Sequence, residues 1–425
     1  DGKKAVTTSA DRTARIWKVE TGQSIATLRG HDKKVACVAW SLDGKTVATG
    51  GFDHSIRLWN AEGAFQKAFK NLKNNVTSVA FVPDCRELLF TRGMGGAKIC
   101  SMLDLKTGKE RVRFTKHNNT VMHGSLNRNG SLAVTTGGAD NDIYIWTTRN
   151  GQMLKHLKGK GQVKWSAAWN SDGTAIAWGS DWQGGDLLKA DTAIDHSFSA
   201  SELEWGEKPD ATFRRARSSL GSQTLKKTGS LTVEVKRARR IEATLDLRKD
   251  NDEVRCFTLL PEDRAVVGAD FGLYLFNTKT GKEIRELFGH TGTIWAVAPS
   301  PDNRYLLSAS DDQTLRIWDL NRTDPLLSLF FAGREWIAWT PEGYYACSAG
   351  GEKLMGWHVN QGKDKLAKFY PASQFRKKLF RPDVIKLILR TGNLERALAI
   401  ADKKRGEKTK VGDIGDLLPP VVKIT

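Results

Sequence analysis

Between Glu335 and Val359 the chain reads EWIAWTPEGYYACSAGGEKLMGWHV, which brings Cys347, Ser348, a Gly-Gly pair and His358 close together in sequence. A thiol with an imidazole base is the pairing of a covalent nucleophile, provided that the two groups come within hydrogen-bonding reach. Elsewhere His, Asp and a small hydroxyl residue recur as His31/Asp53/Thr49, His117/Asp140/Thr136 and His290/Asp312/Ser308, which are the members of a hydrolase triad. The eight histidines are scattered, with no HxH or HExxH, and no GxxxxGK[ST] or GxGxxG follows a strand pattern. No metal, nucleotide or other cofactor is therefore expected.

Register decides between chemistry and architecture. Turn signals recur as DGK at 1, SLDGK at 41, VPDCR at 82, NRNGS at 127, NSDGT at 170, LPEDR at 260, SPDNR at 300 and TPEGY at 340. The step is about 40 residues, apart from one double step, so a degenerate unit is expected at about 190–250, turning at Ser219–Ser222. Inside the units Trp17, Trp59, Trp146 and Trp318 each follow an Asp by six residues (Asp11, Asp53, Asp140, Asp312). Four residues before each Asp stands Thr7, Thr49, Thr136 or Ser308, and three units add His31, His117 or His290 further upstream. A triad that is repeated with a tryptophan attached is expected to lock strands together, because a buried indole N–H and a buried carboxylate must each find a partner. In the same register Trp357 takes the tryptophan place, Gly351 the Asp place and Cys347 the hydroxyl place. Cys347 is then a small core residue, and His358 points the opposite way from Trp357. A hydrolase site within the repeats would need convergent polar residues at a channel mouth, and none stand in register.

The segments LRGHDKKVACVAW…TVATGGFDHSIRLWN and LFGHTGTIWAV…LLSASDDQTLRIWDL resemble WD-repeat (WD40) propeller units, with Gly30-His31 and Gly289-His290 as their GH dipeptides. The resemblance implies an all-β fold: a β-propeller of four-stranded WD40-type blades, about eight in number with seven to nine compatible, and a short C-terminal α-helical segment. It also implies that the His, Ser/Thr, Asp and Trp sets form a buried hydrogen-bonded chain. The match is weak in the third unit, where Leu103 fills the tryptophan place. The seventh unit keeps Asp270 but carries Phe276 and Val266, so apolar packing is expected there. Farther on, EWIAWTPEGYYACSAGGEKLMGWHVN, FYPASQFRKKLFRPDVI and LPPVVKIT resemble bacterial proteins in which a WD-repeat propeller precedes a helical segment, a β-sandwich and a caspase-like cysteine peptidase domain. The catalytic His and Cys of that family lie in the peptidase domain, which no segment here matches.

The expected domains are a propeller over 1–360, a basic helical appendage over 361–410, and a linker with the start of a following domain over 411–425. Five cysteines without a CxxC pair fit a reducing compartment, and a cytoplasmic location is expected. No run of apolar residues is long enough to span a membrane. The net charge of +18 is concentrated: residues 206–249 hold 12 Lys/Arg against 5 Asp/Glu, and residues 361–410 hold 15 against 5. Pro382 and Gly392 bracket an expected helix whose stripe of Val384, Ile385, Ile388 and Leu389 packs inward. The cations Arg214, Arg215, Arg217, Lys236, Arg237, Arg239, Arg240, Lys403, Lys404 and Arg405 are open to two readings. They solvate exposed faces, or they form a patch for an acidic protein, nucleic acid or another anionic partner. The function expected is a non-catalytic protein-interaction or sensor scaffold that positions or regulates an attached caspase-like peptidase, with a nucleic-acid-binding or anion-binding scaffold as the alternative.

Overall fold

The computed structural model describes residues 2–93, 99–118, 120–137, 142–159, 161–180, 193–248, 252–270, 272–359 and 368–406, which belong to two compact units, Asp1–Lys160 and Gly161–Thr425. Short antiparallel strands joined by tight turns dominate both. The turn residues act as their chemistry requires. Asp43 accepts hydrogen bonds from the Ser41 hydroxyl (2.6 Å) and the Lys45 N–H (3.0 Å), and Gly44 closes the turn at a left-handed φ of 71°. Asn303 holds the corresponding left-handed place, at φ 58°, in a turn without glycine.

In the first unit a three-stranded sheet (Lys4–Thr8, Ala14–Lys18, Ser24–Leu28) is followed by four-stranded sheets over 35–69, 75–114 and 121–157, packed on one another in chain order. The inner strand of each four-stranded sheet is bulged, at Ala36, Thr77 and Met122. In the sheet over 75–114 Leu103 is fully buried, and the polar centre is rebuilt from other residues. Arg92, 1% exposed, donates to both carboxylate oxygens of Glu110 (3.0 and 2.9 Å), to Ser101 Oγ (2.8 Å) and to the Leu72 carbonyl (3.0 Å). Burial pushes the Glu110 carboxyl up, but bonds from Arg113 and Arg92 outweigh it and hold the group below its usual range.

The second unit contains four-stranded sheets over 166–205, 219–246 and 254–287 and a six-stranded sheet over 294–347. The degenerate unit is the sheet over 219–246, whose first hairpin turns at Gly221–Ser222 between Ser219–Leu220 and Gln223–Lys227. The last unit forms no blade of its own. Glu335–Trp339 and Tyr345–Cys347 extend the preceding sheet to six strands, whereas Gly356–Val359 pairs with Lys368–Pro371. Trp357 therefore does not share a sheet with Cys347 as the register predicts. A 3-10 turn at Gly351–Leu354 stands where a tight hairpin is required, and Gly351 has no carboxylate with which to close one.

Neighbours in this unit do not follow the chain. The sheet over 166–205 packs on the sheet over 294–347, which packs on 254–287, which packs on 219–246. The segment over 206–218 carries the chain across this stack. The backbone of Arg214 exchanges hydrogen bonds with that of Trp169 (2.9 and 2.6 Å), while the Arg217 side chain donates to the Leu259 carbonyl (2.9 Å) and to Asn303. Trp169 seals the joint by donating its indole N–H to the Ala298 carbonyl (3.2 Å).

Three helices, α1 (Arg376–Leu379), α2 (Pro382–Thr391) and α3 (Leu394–Arg405), close the described chain. Pro382 begins α2, Gly392 caps it at φ 64°, and the Asn393 side chain caps α3 by accepting from the Arg396 N–H (3.0 Å). Val384, Ile385 and Ile388 are fully buried in the core that also contains Phe331, Trp336 and Tyr345, and Leu389 packs against its edge. Arg381, 4% exposed, donates to Asp383 and Asp402 (2.9 Å each), which ties α2 to α3.

Removing one member of a buried ion pair leaves the other charge without compensation. Glu110→Gln should therefore cost about 3–5 kcal/mol in urea unfolding, whereas the double change Arg92→Met with Glu110→Met should cost much less.

Candidate functional site

The polar sets hold the residue types with which the sequence suggested chemistry. In the sheet over 35–69 the Trp59 indole donates to Thr49 Oγ1 (2.9 Å), Thr49 lies 2.9 Å from His31 Nε2, and His31 Nδ1 lies 2.9 Å from Asp53 Oδ2. A carboxylate only accepts, so Nδ1 carries the proton, and the neutral ring accepts the Thr49 hydroxyl proton at Nε2. Burial holds His31 below its ordinary pKa against the pull of Asp53. Burial alone would raise Asp53, but bonds from His31 and Ser55 outweigh it and keep the carboxyl low. The sheet over 294–347 repeats the arrangement: Trp318 to Ser308 (2.8 Å), Ser308 to His290 Nε2 (2.6 Å) and His290 Nδ1 to Asp312 (2.8 Å). In the first sheet Trp17 donates to Thr7 (2.8 Å), while Asp11 is exposed and closes its own turn with Thr13 (2.7 Å).

The fourth set needs a correction. His117 Nε2 and the Trp146 indole meet Thr135 (3.0 and 3.1 Å), not Thr136. Thr49 stands opposite Arg57, two residues before Trp59, and Thr135 stands opposite Tyr144, two residues before Trp146. The loop of the second hairpin is thus one residue longer. One extra residue turns the neighbouring side chain to the other face. Asp140 lies outside the described residues.

These sets cannot act as triads, because Thr49 and Ser308 are fully buried and already accept an indole N–H. Nor is Cys347 an activated thiol. Burial pushes it up to about 11, and its strand is paired with Glu335–Trp339. The side chain of His358 lies outside what is described. Among the described residues, no three His, Cys, Asp or Glu come together as ligands for a metal.

The cations singled out by the sequence lie on three different elements. Arg214, Arg215 and Arg217 belong to the crossing segment, Lys236 to Arg240 to a hairpin of the sheet over 219–246, and Lys403 to Arg405 to the end of α3. Several are held by nearby acids: Arg237 by Glu242 (2.9 Å) and Asp263 (2.6 Å), Lys236 by Glu234 (3.6 Å) and Arg405 by Asp383 (3.1 Å). Arg239, Arg240, Lys403 and Lys404 are exposed.

The register did not reveal a rim formed by inner strands of the second unit. Arg255 and Trp295 are the bulged residues of neighbouring inner strands, and Trp165 immediately precedes the inner strand Ser166–Trp169. Each bulged side chain bonds a carboxylate of its own sheet: Arg255 to Asp270 (2.7 Å) and the Trp295 indole to Asp311 (2.6 Å). The Arg255 guanidinium lies 5.6 Å from the Trp295 ring centroid, and the Trp165 and Trp295 rings are 4.9 Å apart at 43°. Burial pushes the Asp311 carboxyl up to about 6, and bonds from Trp295 and Thr293 only partly offset it. The signal was present in the sequence, since Trp165 and Trp295 are tryptophans that fall outside the repeated place.

Two measurements test the polar sets. Thr135→Val should cost about 1–3 kcal/mol of unfolding free energy by stranding buried donors, and Thr136→Val less than about 0.5 kcal/mol. Because His31 and His290 have lowered pKa values, the unfolded chain binds more protons than the folded chain below the ordinary histidine pKa. Their stabilising effect is complete above that pKa and declines as the pH falls. The stability difference between the wild type and His31→Gln/His290→Gln should therefore shrink on going from pH 7 to pH 5, as read by urea midpoints.

Residues 22–60, 108–147 and 281–319 match the family model for the WD domain, G-beta repeat. The chain is similar to transcription factor unc-37 of Caenorhabditis elegans, 27% identical over 154 residues, which is 36% of this chain and 24% of that protein. It is similar to the WD repeat-containing protein 26 homolog of Arabidopsis thaliana, 24% identical over 328 residues, 76% of this chain and 47% of that protein. A shorter stretch is 36% identical over 103 residues to apoptotic protease-activating factor 1 of Rattus norvegicus, 22% of this chain and 8% of that protein. The chain thus spans less than half the length of each of these relatives. Within the matched residues the hydroxyls of Thr49, Thr135 and Ser308 are buried and bonded. The chain carries WD40 repeats, folded into the antiparallel four-stranded sheets of that family's blades.

Proposed function

We propose that this chain is a protein-interaction scaffold that positions or restrains an attached effector, a caspase-like peptidase, in a reducing compartment such as the cytoplasm. The observation that carries the reading is the division of labour among its polar side chains. The His, Asp and hydroxyl groups able to perform chemistry are consumed by bonds inside the sheets, while the bulged residues Arg255 and Trp295 of the second unit stay partly exposed. The helices support the link to an effector. α2 and α3 are buried on the sheet over 294–347 and joined by Arg381, so force on the chain beyond Gly406 reaches the sheets through a packed joint. The name of the rat relative, a factor that activates an apoptotic protease, agrees with this reading. Among the described residues no helix is long and apolar enough to cross a membrane.

Residues 1–425 incubated with fluorogenic caspase-type peptides should give no turnover, and Cys347→Ala should change nothing. Turnover that Cys347→Ala abolishes would overturn the scaffold reading. In the natural full-length protein, Ile388→Asp, which loosens α2, should change peptidase activity several-fold. A full-length protein without peptidase activity would remove the caspase-like effector from the proposal.

A further inference from the structure

Each joint between neighbouring sheets of the first unit is built in the same way. The earlier sheet turns an aliphatic face forward, and the later sheet meets it with the face that carries the tryptophan place. Ile16 and Leu28 share a core with Trp59, Ile56 and Phe69 with Leu103, and Met102 and Phe114 with Trp146. Beside this core, the turn before the later sheet's outermost strand closes over the earlier sheet. A β-carbon placed on Gly63 would lie 2.5 Å from the Ala26 side chain, on Gly108 3.4 Å from the Phe69 ring and on Gly151 3.1 Å from Val112. A cation of the earlier sheet clamps the same turn: Lys4 donates to the Ala61 carbonyl (3.0 Å), Lys67 to Leu105 (2.7 Å) and Arg111 to Arg149 (2.9 Å).

The two ends of this stack each present one half of such a joint. In the sheet over 121–157, Val134 opposes Ile145 and Leu157 opposes Ile143, as Ala48 opposes Leu58 and Phe69 opposes Ile56. Ala48 and Phe69 are 0% and 7% exposed, whereas Val134 and Leu157 are 37% and 41% exposed. Lys155 stands opposite Ile145, as the clamping Lys67 stands opposite Leu58, and it is exposed. In the sheet over 4–28, Thr7 is exposed and Trp17 partly so, whereas Thr49, Trp59, Thr135 and Trp146 are buried. The turn before the outermost strand of this sheet is bare. Val19, which holds the place of Leu105, is 55% exposed, and a β-carbon on Gly22 would meet nothing within 4 Å.

We propose that two copies of this chain join through these ends. The sheet over 121–157 of one copy packs its forward face on the Trp17 face of the other copy's sheet over 4–28. The match is the one already used three times inside the unit: aliphatic side chains meet the indole, and Lys155 of one copy clamps the bare turn at Val19 of the other. Burial of apolar surface drives the contact, since the faces left in water are those that every inner joint seals. A contact between two different faces is heterologous and repeats until it closes. Two stacks of four sheets make eight, the number expected from the sequence, so two such joints close a symmetric dimer.

Sedimentation equilibrium of residues 1–425 over a concentration series tests the pairing. The chain should give a species of twice 47.1 kDa that dissociates to one copy on dilution. Leu157→Asp disables the forward face and Val19→Arg the turn opposite Lys155. Both replace exposed side chains, and each variant alone should stay at one copy. Mixed in equal amounts, the two should dimerise again, because the intact forward face of the Val19→Arg copy meets the intact turn of the Leu157→Asp copy. That mixed dimer holds a single joint and should dissociate at a concentration about 100-fold higher or more than the wild type. Circular dichroism identical to that of the wild type establishes that the variants fold. A wild type that remains a single copy at every concentration, variants that still dimerise, or a mixture that stays monomeric would overturn the inference. Assemblies that keep growing with concentration would overturn closure into a dimer. Peptide turnover is measured separately, so none of these outcomes decides the effector reading.

Discussion

A donor or acceptor sealed inside a sheet must be bonded, and most of this molecule follows from how each sheet meets that demand. The tryptophan N–H of a blade is the hardest to place, because the ring that carries it is also the largest filler of the core. Thr49 and Ser308 solve the problem by accepting from the indole and donating a hydrogen bond to a neutral imidazole, which a carboxylate orients. The sheet over 75–114 reaches the same end by a different route: it dispenses with the indole and buries a guanidinium–carboxylate pair. The sheet over 254–287 takes a third course. Phe276 and Val266 fill its core without polar groups, and Asp270 is turned to the edge to hold Arg255.

The legible parts of the sequence were those fixed by short-range chemistry. Asp-Gly turns, the spacing of Trp59 to Asp53 and the Pro382–Gly392 brackets each depend on a few neighbouring residues, so their meaning survives without knowledge of the fold. Misreadings arose where one inserted residue or one missing carboxylate changed the pairing. Thr136 has the right spacing in sequence, but the longer hairpin loop brings Thr135 to the indole. Trp357 has the right spacing too, yet with Gly351 in place of an aspartate the chain leaves the sheet and pairs with Lys368–Pro371. The Arg92–Glu110 pair and the Trp295–Asp311 bond were not legible, because each joins residues on different strands and neither belongs to the repeated set.

The basic character of the chain also takes on a different meaning once the partners are seen. Arg217 and Arg381 looked like members of charged runs, yet the first is a strap across strand ends and the second is the joint between two helices. Guanidinium groups suit such positions, because a planar fork with several donors can satisfy multiple carbonyls and carboxylates at once. Part of the positive charge is therefore structural.

The crossing segment over 206–218 also sets a schedule for synthesis. Trp169 and its acceptor Ala298 are 129 residues apart in the chain. At translation speeds of about 5–20 residues per second, Trp169 leaves the ribosome roughly 6–26 seconds before Ala298. Trp169, Trp178 and Phe198 are buried in the finished fold in one core with Phe331 and Trp336, which emerge later still. A layout that sets neighbours far apart in sequence thus slows folding.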